Sequence, residues 1–458
     1  DRLRSRGLGD VYKRQVSKET EQKNNRRRKE NMRKKVISIL LTAAMAVTLF
    51  AGCGDEKSAD SQGNQSSGDA KTVTMMSWYS EDQMDDVIDA IEKKLGGEYK
   101  IDYTYVTNSD YNNVLSTQLA AGEGPDIIAD GANFPARIKA GNVKDITDTG
   151  ITDGFSDEGL ALCTIDGKNY GVPCYGWFAG IFYNKDLFEK AGIKEVPTTY
   201  DEFLEACDKL KGEGIKPIAM GLADGDNGLH AFTGFLESNF YEVTEEGKTF
   251  DVNFAEGKEK MSGVLNPYVE SWMKMVDDGY ITSDMVGISS EQARNEFSNG
   301  KAAMFITGPW DYDIFKKVEI NFGVMPFLGD GEEAEYLIGG PAASWGINSN
   351  TKNEEGAEKV LEALASTEVQ QAFVDANPGG STYKEGVKTG LPEEYANVED
   401  VLKSGRIACC WDRWSVNMPS QTLIDEINSQ IQGLVSGESS IDDFLSNLDS
   451  KADSIRYQ

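Results

Sequence analysis

The sequence predicts an α/β protein built of two lobes. Short apolar runs that are typical of strands alternate with segments whose apolar residues repeat every three to four positions, and this alternation continues through most of the chain. Strands that alternate with helices favour βαβ units and a parallel sheet. The predicted folded part spans about 390 residues, and a single core rarely grows that large. Two α/β lobes are therefore expected.

The first elements are the clearest. Residues 73–78 form a short apolar run, which predicts a first strand. A helix is predicted next, because five apolar residues recur on one face before Gly96 and Gly97 end it: Met84, Val87, Ile88, Ile91 and Leu95. A second strand is predicted at 99–106, a helix around 114–119 and a third strand at 125–129.

Capping patterns predict helices further along the chain. Thr199 with Glu202, Thr351 with Glu354, and Thr367 with Gln370 have the spacing of a capping box. Two late amphipathic stretches, 423–434 and 441–448, predict the last helices.

Charge and composition exclude several functions. Lys and Arg total 46 against 76 Asp and Glu, a net charge of -30. Residues 1–52 carry 14 basic and 5 acidic side chains, so the remainder, with 32 basic and 71 acidic, has a net charge of -39. A body this acidic repels phosphate backbones, so no nucleic-acid partner is expected. His230 is the only histidine, which argues against His-rich metal sites and Ser/His or Cys/His catalysis.

The N-terminal part of the sequence predicts an export signal. Met32 opens a segment, 32–52, with a basic start and an apolar run of 15 residues at 36–50. That run is short for a membrane span. Ala51-Gly52-Cys53 resembles the lipobox of a bacterial lipoprotein signal, which predicts a lipid on the thiol of Cys53; an ordinary signal peptide is the alternative. Residues 1–31 are interpreted as a non-functional upstream segment, and 53–71 as a flexible tether.

Cysteine spacing gives no sign of zinc or of a redox pair. Five cysteines follow Cys53, an odd set without a CxxC pair. Cys207 lies on an apolar helical stripe and is predicted to fill the core. Cys163 and Cys174 could form a disulfide in an exported protein, but the sequence does not require it.

An ordered set of short strings indicates a family. The strings are GPDI at 124–127, YGVP at 170–173, YNKDLF at 183–188, AGI at 191–193, GKAAM at 300–304, GPW at 308–310 and WGIN at 345–348. Together they resemble the extracellular solute-binding protein family 1, the carbohydrate receptors of ABC importers of the maltose-binding-protein type. The resemblance extends over about residues 72–458.

The resemblance implies a two-lobed periplasmic-binding-protein fold of the class II type. A hinge joins the lobes, and a ligand cleft lies between them. Three crossovers would lie near 184–187, 324–328 and 377–382. Residues 72–184 and 328–378 would then form lobe 1, and 185–324 and 383–458 lobe 2.

Four aromatic residues are candidates for stacking on a sugar. A sugar presents a weakly apolar face, for which aromatic side chains are suitable platforms. Trp78 ends the first strand, and Trp310 follows Gly-Pro in a motif whose aromatic stacks on sugar in the family. Alternation places Tyr175 and Trp177 on one side of the next strand. The alternative for each is a role in the core.

Polar candidates follow the same strand ends. Glu81 lies in the loop after Trp78, and Asp130 and Asn133 follow the third strand, where a simple turn is the alternative. A cluster of two aromatic and two charged residues, Trp411 to Trp414, supplies three further candidates: Trp411, Asp412 and Arg413. An ion pair between Asp412 and Arg413 is the alternative there.

These observations predict a receptor without catalysis, metal or cofactor. The expected protein is a monomer, anchored by lipid on the outer face of the bacterial cytoplasmic membrane. It is expected to bind a carbohydrate of the oligosaccharide class and to deliver it to ABC permease subunits. A non-sugar solute such as a polyamine or a glycerol phosphate is the first alternative, and an exported carbohydrate-active enzyme is the second. An anionic ligand would require several cationic side chains in the cleft, and only Arg413 stands out.

Overall fold

The fold is described from a computed structural model, which defines residues 70–224 and 226–457. The strands are β1 Lys71–Ser77, β2 Tyr99–Tyr105, β3 Ile127–Asp130, β4 Thr164–Ile165, β5 Lys168–Asn169, β6 Val172–Pro173, β7 Gly176–Asn184, β8 Lys216–Ala219, β9 Ala302–Thr307, β10 Phe322–Met325, β11 Phe327–Leu328, β12 Glu335–Pro341, β13 Ser344–Ile347 and β14 Ile407–Ala408.

The α-helices alternate with these strands. They are α1 Glu81–Lys94, α2 Asn108–Ala120, α3 Phe134–Lys139, α4 Asp157–Leu160, α5 Lys185–Lys190, α6 Tyr200–Gly212, α7 Asn227–Leu236, α8 Gly247–Ala255, α9 Asn266–Asp277, α10 Ser290–Ser298, α11 Tyr312–Lys317, α12 Glu354–Leu364, α13 Thr367–Asp375, α14 Glu399–Lys403, α15 Cys410–Trp414, α16 Ser420–Ser436 and α17 Ile441–Ile455. Short 3₁₀ turns lie at Thr147–Thr149, Ala161–Cys163, Ser283–Gly287, Pro309–Asp311 and Glu393–Val398, and a π-turn at Glu237–Tyr241.

The first lobe is built on a five-stranded sheet in the order β2-β1-β3-β13-β6. β1 runs parallel to β2 and β3, as the βαβ pattern predicts, and β13 returns antiparallel to β3. Alternate residues face opposite sides of the sheet. Val73 and Met75 face a core that α1, α12 and α13 complete, whereas Met76 and Ile128 face α2 and α3.

The second lobe surrounds a seven-stranded sheet. Its order is β11-β12-β7-β9-β8, with β10 paired to β7 and β14 to β12. The nine-residue strand β7 lies in the middle and is antiparallel to β9, β10 and β12. Ile181 faces the large core that includes α6, α7, α9, α16 and α17, and Phe182 faces a smaller core with α10 and α11. The two sheets confirm the predicted two-lobed α/β class.

The chain passes between the sheets at places that differ from the predicted crossovers. β6 belongs to the first sheet and β7 to the second, so the first passage is at 174–175 rather than 184–187. The second passage is at 342–343, between β12 and β13, rather than 324–328. Lys384 still bridges to Phe155 and the backbone of Lys388 exchanges hydrogen bonds with Gln371, so the third passage follows residue 388 rather than lying at 377–382. The resemblance places the first crossover at the end of β7, and the local pattern does not correct it, because a strand buried on both faces fits either sheet.

The first lobe is therefore defined here as residues 70–175 and 342–388, and the second lobe as 176–341 and 389–457. The predicted helices are present, but two of the three caps differ. Thr199 accepts from the N–H of Glu202 as predicted. The cap of α12 is Asn353 and that of α13 is Ser366, while Thr351 instead hydrogen-bonds Asp126.

The five described cysteines are buried free thiols, so no disulfide joins Cys163 to Cys174. The Cys163 thiol donates to Ser344 Oγ at 2.9 Å, and Cys174 Sγ lies 3.5 Å from the Tyr79 hydroxyl. Cys207 is in the core of the second lobe, as predicted.

The predicted upstream segment, signal and Cys53 lie outside the described residues. So does the predicted tether, apart from its last two positions, and β1 already begins at Lys71. Within 70–224 and 226–457, no helix has the length and apolar character required to cross a membrane.

Candidate functional site

A cavity of about 500 Å³ lies between the two lobes. First-lobe residues that line it are Trp78, Tyr79, Gln83, Tyr105, Asn108, Tyr175 and Ala342. Second-lobe residues that line it are Trp177, Asp226, Asn227, His230, Ser290, Glu291, Arg294, Phe305, Thr307, Trp310 and Asp311. Its volume is within the range of about 300–1,000 Å³ that is usual for small-molecule sites.

The first-lobe wall consists of aromatic rings and amides. Trp78 and Tyr79 follow β1 directly, and Tyr105 ends the neighbouring parallel strand β2. Carboxyl ends of parallel strands meet at one edge, where ligands of α/β proteins commonly bind. The Trp78 ring lies 5.5 Å from that of Tyr79 and 5.1 Å from that of Tyr111, and Tyr79 lies 6.1 Å from Tyr175. These contacts hold the rings of Trp78 and Tyr79 against the lobe.

The second-lobe wall contains a second aromatic group. The Trp177 ring lies 6.0 Å from that of Trp310 and 5.5 Å from the imidazole of His230. Trp411 lies against two members of this group, stacked 6.4 Å from Trp177 and 6.1 Å from His230. We call Trp177, His230 and Trp310 the aromatic wall. Trp177 and Trp310 are half-buried, so their rings remain accessible to a ligand.

Arg294 and Asp311 form the ion pair of this wall. Arg294 Nη1 donates to Asp311 Oδ1 at 3.1 Å, and the Thr307 hydroxyl donates to Asp311 Oδ2 at 2.7 Å. Burial raises the pKa of Asp311, which is 4% exposed, and the neighbouring guanidinium opposes that rise. Arg294 Nε is buried without a hydrogen-bond partner among the described residues.

Two further carboxylates, Asp226 and Glu291, line the cavity near the starts of α7 and α10. Asp226 accepts from the amide of Asn428 at 3.2 Å. Neither carboxylate forms an ion pair with another described residue, so the lining side chains carry three carboxylates against the guanidinium of Arg294.

His230 supplies a neutral imidazole to the cavity. Burial lowers its pKa, and the Asp226 carboxylate partly opposes that change. A neutral imidazole has one donor and one acceptor, so it can pair with a ligand hydroxyl in either direction.

Four predicted site residues line the cavity: Trp78, Tyr175, Trp177 and Trp310. Phe178 lies on the side of β7 opposite Trp177 and faces a core, as the alternation of side chains along a strand predicts. Trp345 is fully buried in the core of the first lobe.

The polar candidates of the first lobe lie elsewhere. Glu81 is an exposed residue in the first turn of α1. Asp130 is buried and forms a 3.0 Å ion pair with Arg137, which also donates to Ser116. Asn133 precedes α3 and is buried as well. These three side chains do not line the cavity. For Asp130 the reason is that Arg137, from the following helix, pairs with its carboxylate.

The cluster at 411–413 is also placed behind the cavity. Trp411 is 6% exposed and supports the aromatic wall from its far side. Asp412 is half-buried, and loss of solvent raises its pKa to about 7. The alternative ion pair between Asp412 and Arg413 is not formed in the described structure; Arg413 instead pairs with Glu242 at 2.8 Å and with Asp251.

Gly339 and Gly340 lie in β12, where the lack of a Cβ could let a ligand approach the backbone. A Cβ on Gly339 would lie 2.2 Å from the Trp177 carbonyl oxygen, and one on Gly340 would lie 3.0 Å from Asp412 Oδ2. Protein atoms therefore occupy the space beside both glycines.

Sequence reasoning missed most of the polar lining. Glu291 and Arg294 lie on the amphipathic helix α10, and nothing in their local sequence distinguishes them from solvated charges. His230 lies on α7, which is buried along its whole length, so the local pattern favours a core position. Asp226, which directly precedes α7, also lines the cavity. The described residues contain no group of three or more His, Cys, Asp or Glu side chains placed to hold a metal ion.

Comparison with known proteins decides the family. A family model described as bacterial extracellular solute-binding protein matches residues 77–371, more than half of the chain. The chain belongs to this family. Its members are solute-binding proteins, which agrees with a cavity between two lobes.

The chain matches similar curated proteins over nearly their whole length. The chain is 26% identical over 401 residues to a maltooligosaccharide ABC transporter solute-binding lipoprotein of Streptococcus pneumoniae, over 82% of this chain and 90% of that protein. It is 24% identical over 427 residues to a galactooligosaccharide-binding protein of Bacillus subtilis, over 89% of this chain and 94% of that protein.

Solved structures show the same fold. A family 1 extracellular solute-binding protein from Bifidobacterium longum subsp. infantis has a TM-score of 0.66 and 29% identity, over 84% of this chain and 100% of the other. A chitin oligosaccharide binding protein has a TM-score of 0.71 and 23% identity, over 84% and 99%.

Proposed function

We propose that this protein is the substrate-binding protein of an ABC importer and that it binds an oligosaccharide in the interlobe cavity. The observation that carries the proposal is the pair of facing aromatic surfaces, Trp78 with Tyr79 on the first lobe and the aromatic wall on the second. Relatives named for maltooligosaccharide and galactooligosaccharide support the same ligand class.

The chemistry of the lining fits a sugar. Pyranose rings present C–H faces to the rings of Trp177 and Trp310, and aromatic rings stack well on such apolar surfaces. Hydroxyl groups at the sugar edge need both donors and acceptors. Asn108 and His230 supply both kinds, and Glu291 supplies acceptors. Gln83 supplies its amide N–H donors, because its Oε1 already accepts from Ser80.

A thermal-shift screen against neutral oligosaccharides tests the proposal, because a ligand that binds only the native state raises the melting temperature. Calorimetry on the best ligand then compares wild type with Trp310→Ala. We expect the variant to bind more weakly by about 1–3 kcal/mol, the usual scale for a buried aromatic anchor. Tyr268→Ala is the matched control, since Tyr268 is a partly exposed aromatic residue within the second lobe and outside the cavity lining.

Two outcomes would contradict the sugar assignment. One is the absence of any stabilising saccharide in the panel while a non-sugar solute stabilises the protein. The other is a Trp310→Ala variant that melts normally and binds the saccharide with unchanged affinity.

A cationic solute such as a polyamine is the second candidate, and the lining charges favour it. Asp226 and Glu291 have no ion-pair partner among the described residues, whereas Arg294 is already paired with Asp311. The same balance disfavours a glycerol phosphate, because no lining cation is left for the phosphate. Titration at low and high salt separates the two: a neutral sugar loses little affinity at high salt, while a polyamine loses much.

The exported carbohydrate-active enzyme remains a testable alternative. Incubating the protein with a tightly bound oligosaccharide and analysing the products would settle it. We expect the saccharide to be recovered intact.

The sequence and the relatives support a location and partners for this protein. We propose that Cys53 carries a lipid, that the protein resides on the outer face of the bacterial cytoplasmic membrane, and that a monomer delivers the ligand to the permease subunits. The similar streptococcal protein is named as a lipoprotein. Cys53→Ala should release the protein from the membrane fraction, and membrane retention of that variant would contradict the anchor.

A further inference from the structure

The short helix α15 supports the cavity from behind. Its residue Trp411 is 6% exposed and stacks on both Trp177 and His230, with interplanar angles of 21° and 20°. Trp177 and His230 line the cavity. Any displacement of α15 therefore changes the surface that a ligand meets.

Helix α15 has five residues, too few to be stable without tertiary contacts. Three contacts hold it. At its start, Glu237 Oε1 accepts from the backbone N–H of Cys410 at 2.9 Å. Near its end, Arg413 Nη2 donates to Glu242 Oε1 at 2.8 Å, and Arg413 Nε contacts Asp251 Oδ2.

The contacts involve more acids than bases. Glu237 and Asp251 are 0% and 1% exposed, and Arg413 is the cation that pairs with both of them and with Glu242. We call these four residues the anchor cluster. Burial raises the pKa of Glu237 to about 8, against the opposing effect of Arg413, so its carboxyl group holds a proton at neutral pH. With Glu237 neutral, the cluster has two carboxylates against one guanidinium.

We propose that Glu237 and Arg413 are positioning residues of the ligand site: they fix α15, and with it the Trp411 indole behind Trp177 and His230, so that ionisation of Glu237 weakens ligand binding. The coupling to affinity rests on the proposed function, whereas the coupling to the position of Trp411 does not.

Of Glu237 and the titratable groups that face it, Glu237 is the first to lose a proton as the pH rises above neutral. Those that face it are Arg413, Cys409, Cys410, Tyr241, Glu242, Asp251 and Tyr336. Burial raises the pKa values of the two thiols and the two tyrosine hydroxyls, so these four groups stay neutral when Glu237 loses its proton. Ionised Glu237 would add a third carboxylate to the cluster, and its charge is costly at a site with no exposure.

The test compares wild type with Glu237→Gln, which keeps a carbonyl oxygen for the Cys410 N–H and has no proton to lose. Affinity for the neutral oligosaccharide that binds best is measured by calorimetry from pH 6.5 to pH 9. We expect wild-type affinity to fall by up to about tenfold per pH unit above the pKa of Glu237, and the variant to keep its pH 7 affinity throughout. Glu245→Gln, a change at a fully solvated position nearby, should behave like wild type.

Two further variants sharpen the result. Asp412→Asn removes the neighbouring acid with a pKa of about 7 and should leave the fall above pH 8 in place. Arg413→Gln should weaken binding at pH 7, and Arg413→Lys should restore part of it, because a lysine keeps the charge but not the fork of donors.

A ligand-free measurement separates this proposal from the proposed function. The tryptophan emission of wild type minus that of Trp411→Phe reports the surroundings of Trp411, and we expect it to change between pH 7 and pH 9 in wild type and not in Glu237→Gln. Equal pH profiles in the two proteins would overturn the proposal. So would a Glu237→Gln variant that only changes the melting temperature while its affinity profile follows wild type.

Discussion

The two walls of the cavity are chemically different. The first-lobe wall presents aromatic and amide side chains, and none of its described lining residues is charged. The second-lobe wall also presents aromatic rings, but it holds all four charged side chains of the described lining: Asp226, Glu291, Arg294 and Asp311. The two walls therefore present similar aromatic surfaces to the faces of a sugar, but very different charges to its edges.

The difference follows from the elements that build each wall. First-lobe residues such as Trp78 and Tyr105 stand at the ends of parallel strands. The second-lobe carboxylates stand at helix starts, Asp226 before α7 and Glu291 in the first turn of α10, where the helix dipole favours negative charge. The first lobe can thus supply stacking that tolerates many sugars, while the second lobe supplies charge that selects among them.

The largest expected effect concerns one ring from each wall. Trp177 touches His230, Trp310 and Trp411, so Trp177→Ala should loosen the whole aromatic wall and cost about 2–3 kcal/mol of binding free energy. Trp78→Ala removes a ring whose neighbours Tyr79 and Tyr111 keep their own anchors, and should cost about 1–2 kcal/mol. Calorimetry with the same oligosaccharide measures both. A larger loss for Trp78→Ala would reverse the assigned roles.

An intermediate effect should come from charge. An acidic saccharide should bind more weakly than its neutral counterpart because of Asp226 and Glu291, and Glu291→Gln should recover about 1 kcal/mol of that difference. Glu81→Gln is the matched control, since it removes an exposed carboxylate from the first lobe outside the cavity. If both variants change the ratio of the affinities for the acidic and the neutral saccharide equally, the discrimination comes from the overall charge of the protein and not from the second-lobe wall.

The smallest effect should come from His230. Its pKa is lowered in the folded protein, so the unfolded chain binds a proton more readily below about pH 6.5. The contribution of His230 to stability is therefore complete above pH 6.5 and is lost as the pH falls below it. The melting temperature of His230→Gln should decline less than that of wild type between pH 7 and pH 5. Because the chain has one histidine, an NMR titration of its ring assigns the pKa without ambiguity.

The sequence predicts the fold and the aromatic part of the site well. The alternation of strands and helices, and the order of short motifs, depend on local patterns that persist in the structure. Trp78, Tyr175, Trp177 and Trp310 follow or flank such motifs, so their position near the cleft could be inferred. Asp130 shows the limit, because Arg137 is seven residues away and only the turn into α3 brings it within 3.0 Å.

Long-range pairings explain the other failures. Arg413 looks available beside Trp411, yet its partners Glu242 and Asp251 are more than 150 residues earlier. Likewise β7 reads as a strand, but only its pairing with β9, β10 and β12 shows which lobe it belongs to. Such partners depend on tertiary structure, which a local pattern does not encode.

The buried thiols have a practical consequence. Every described cysteine is enclosed, and burial raises the thiol pKa values of all five, so maleimide or disulfide reagents should find no fast-reacting thiolate on the folded body. A cysteine introduced at exposed Val416 would then be labelled alone in a form of the protein that starts after Cys53. Val416 accepts a hydrogen bond from Lys139 of the first lobe, so a dye at this position would report the separation of the lobes in real time.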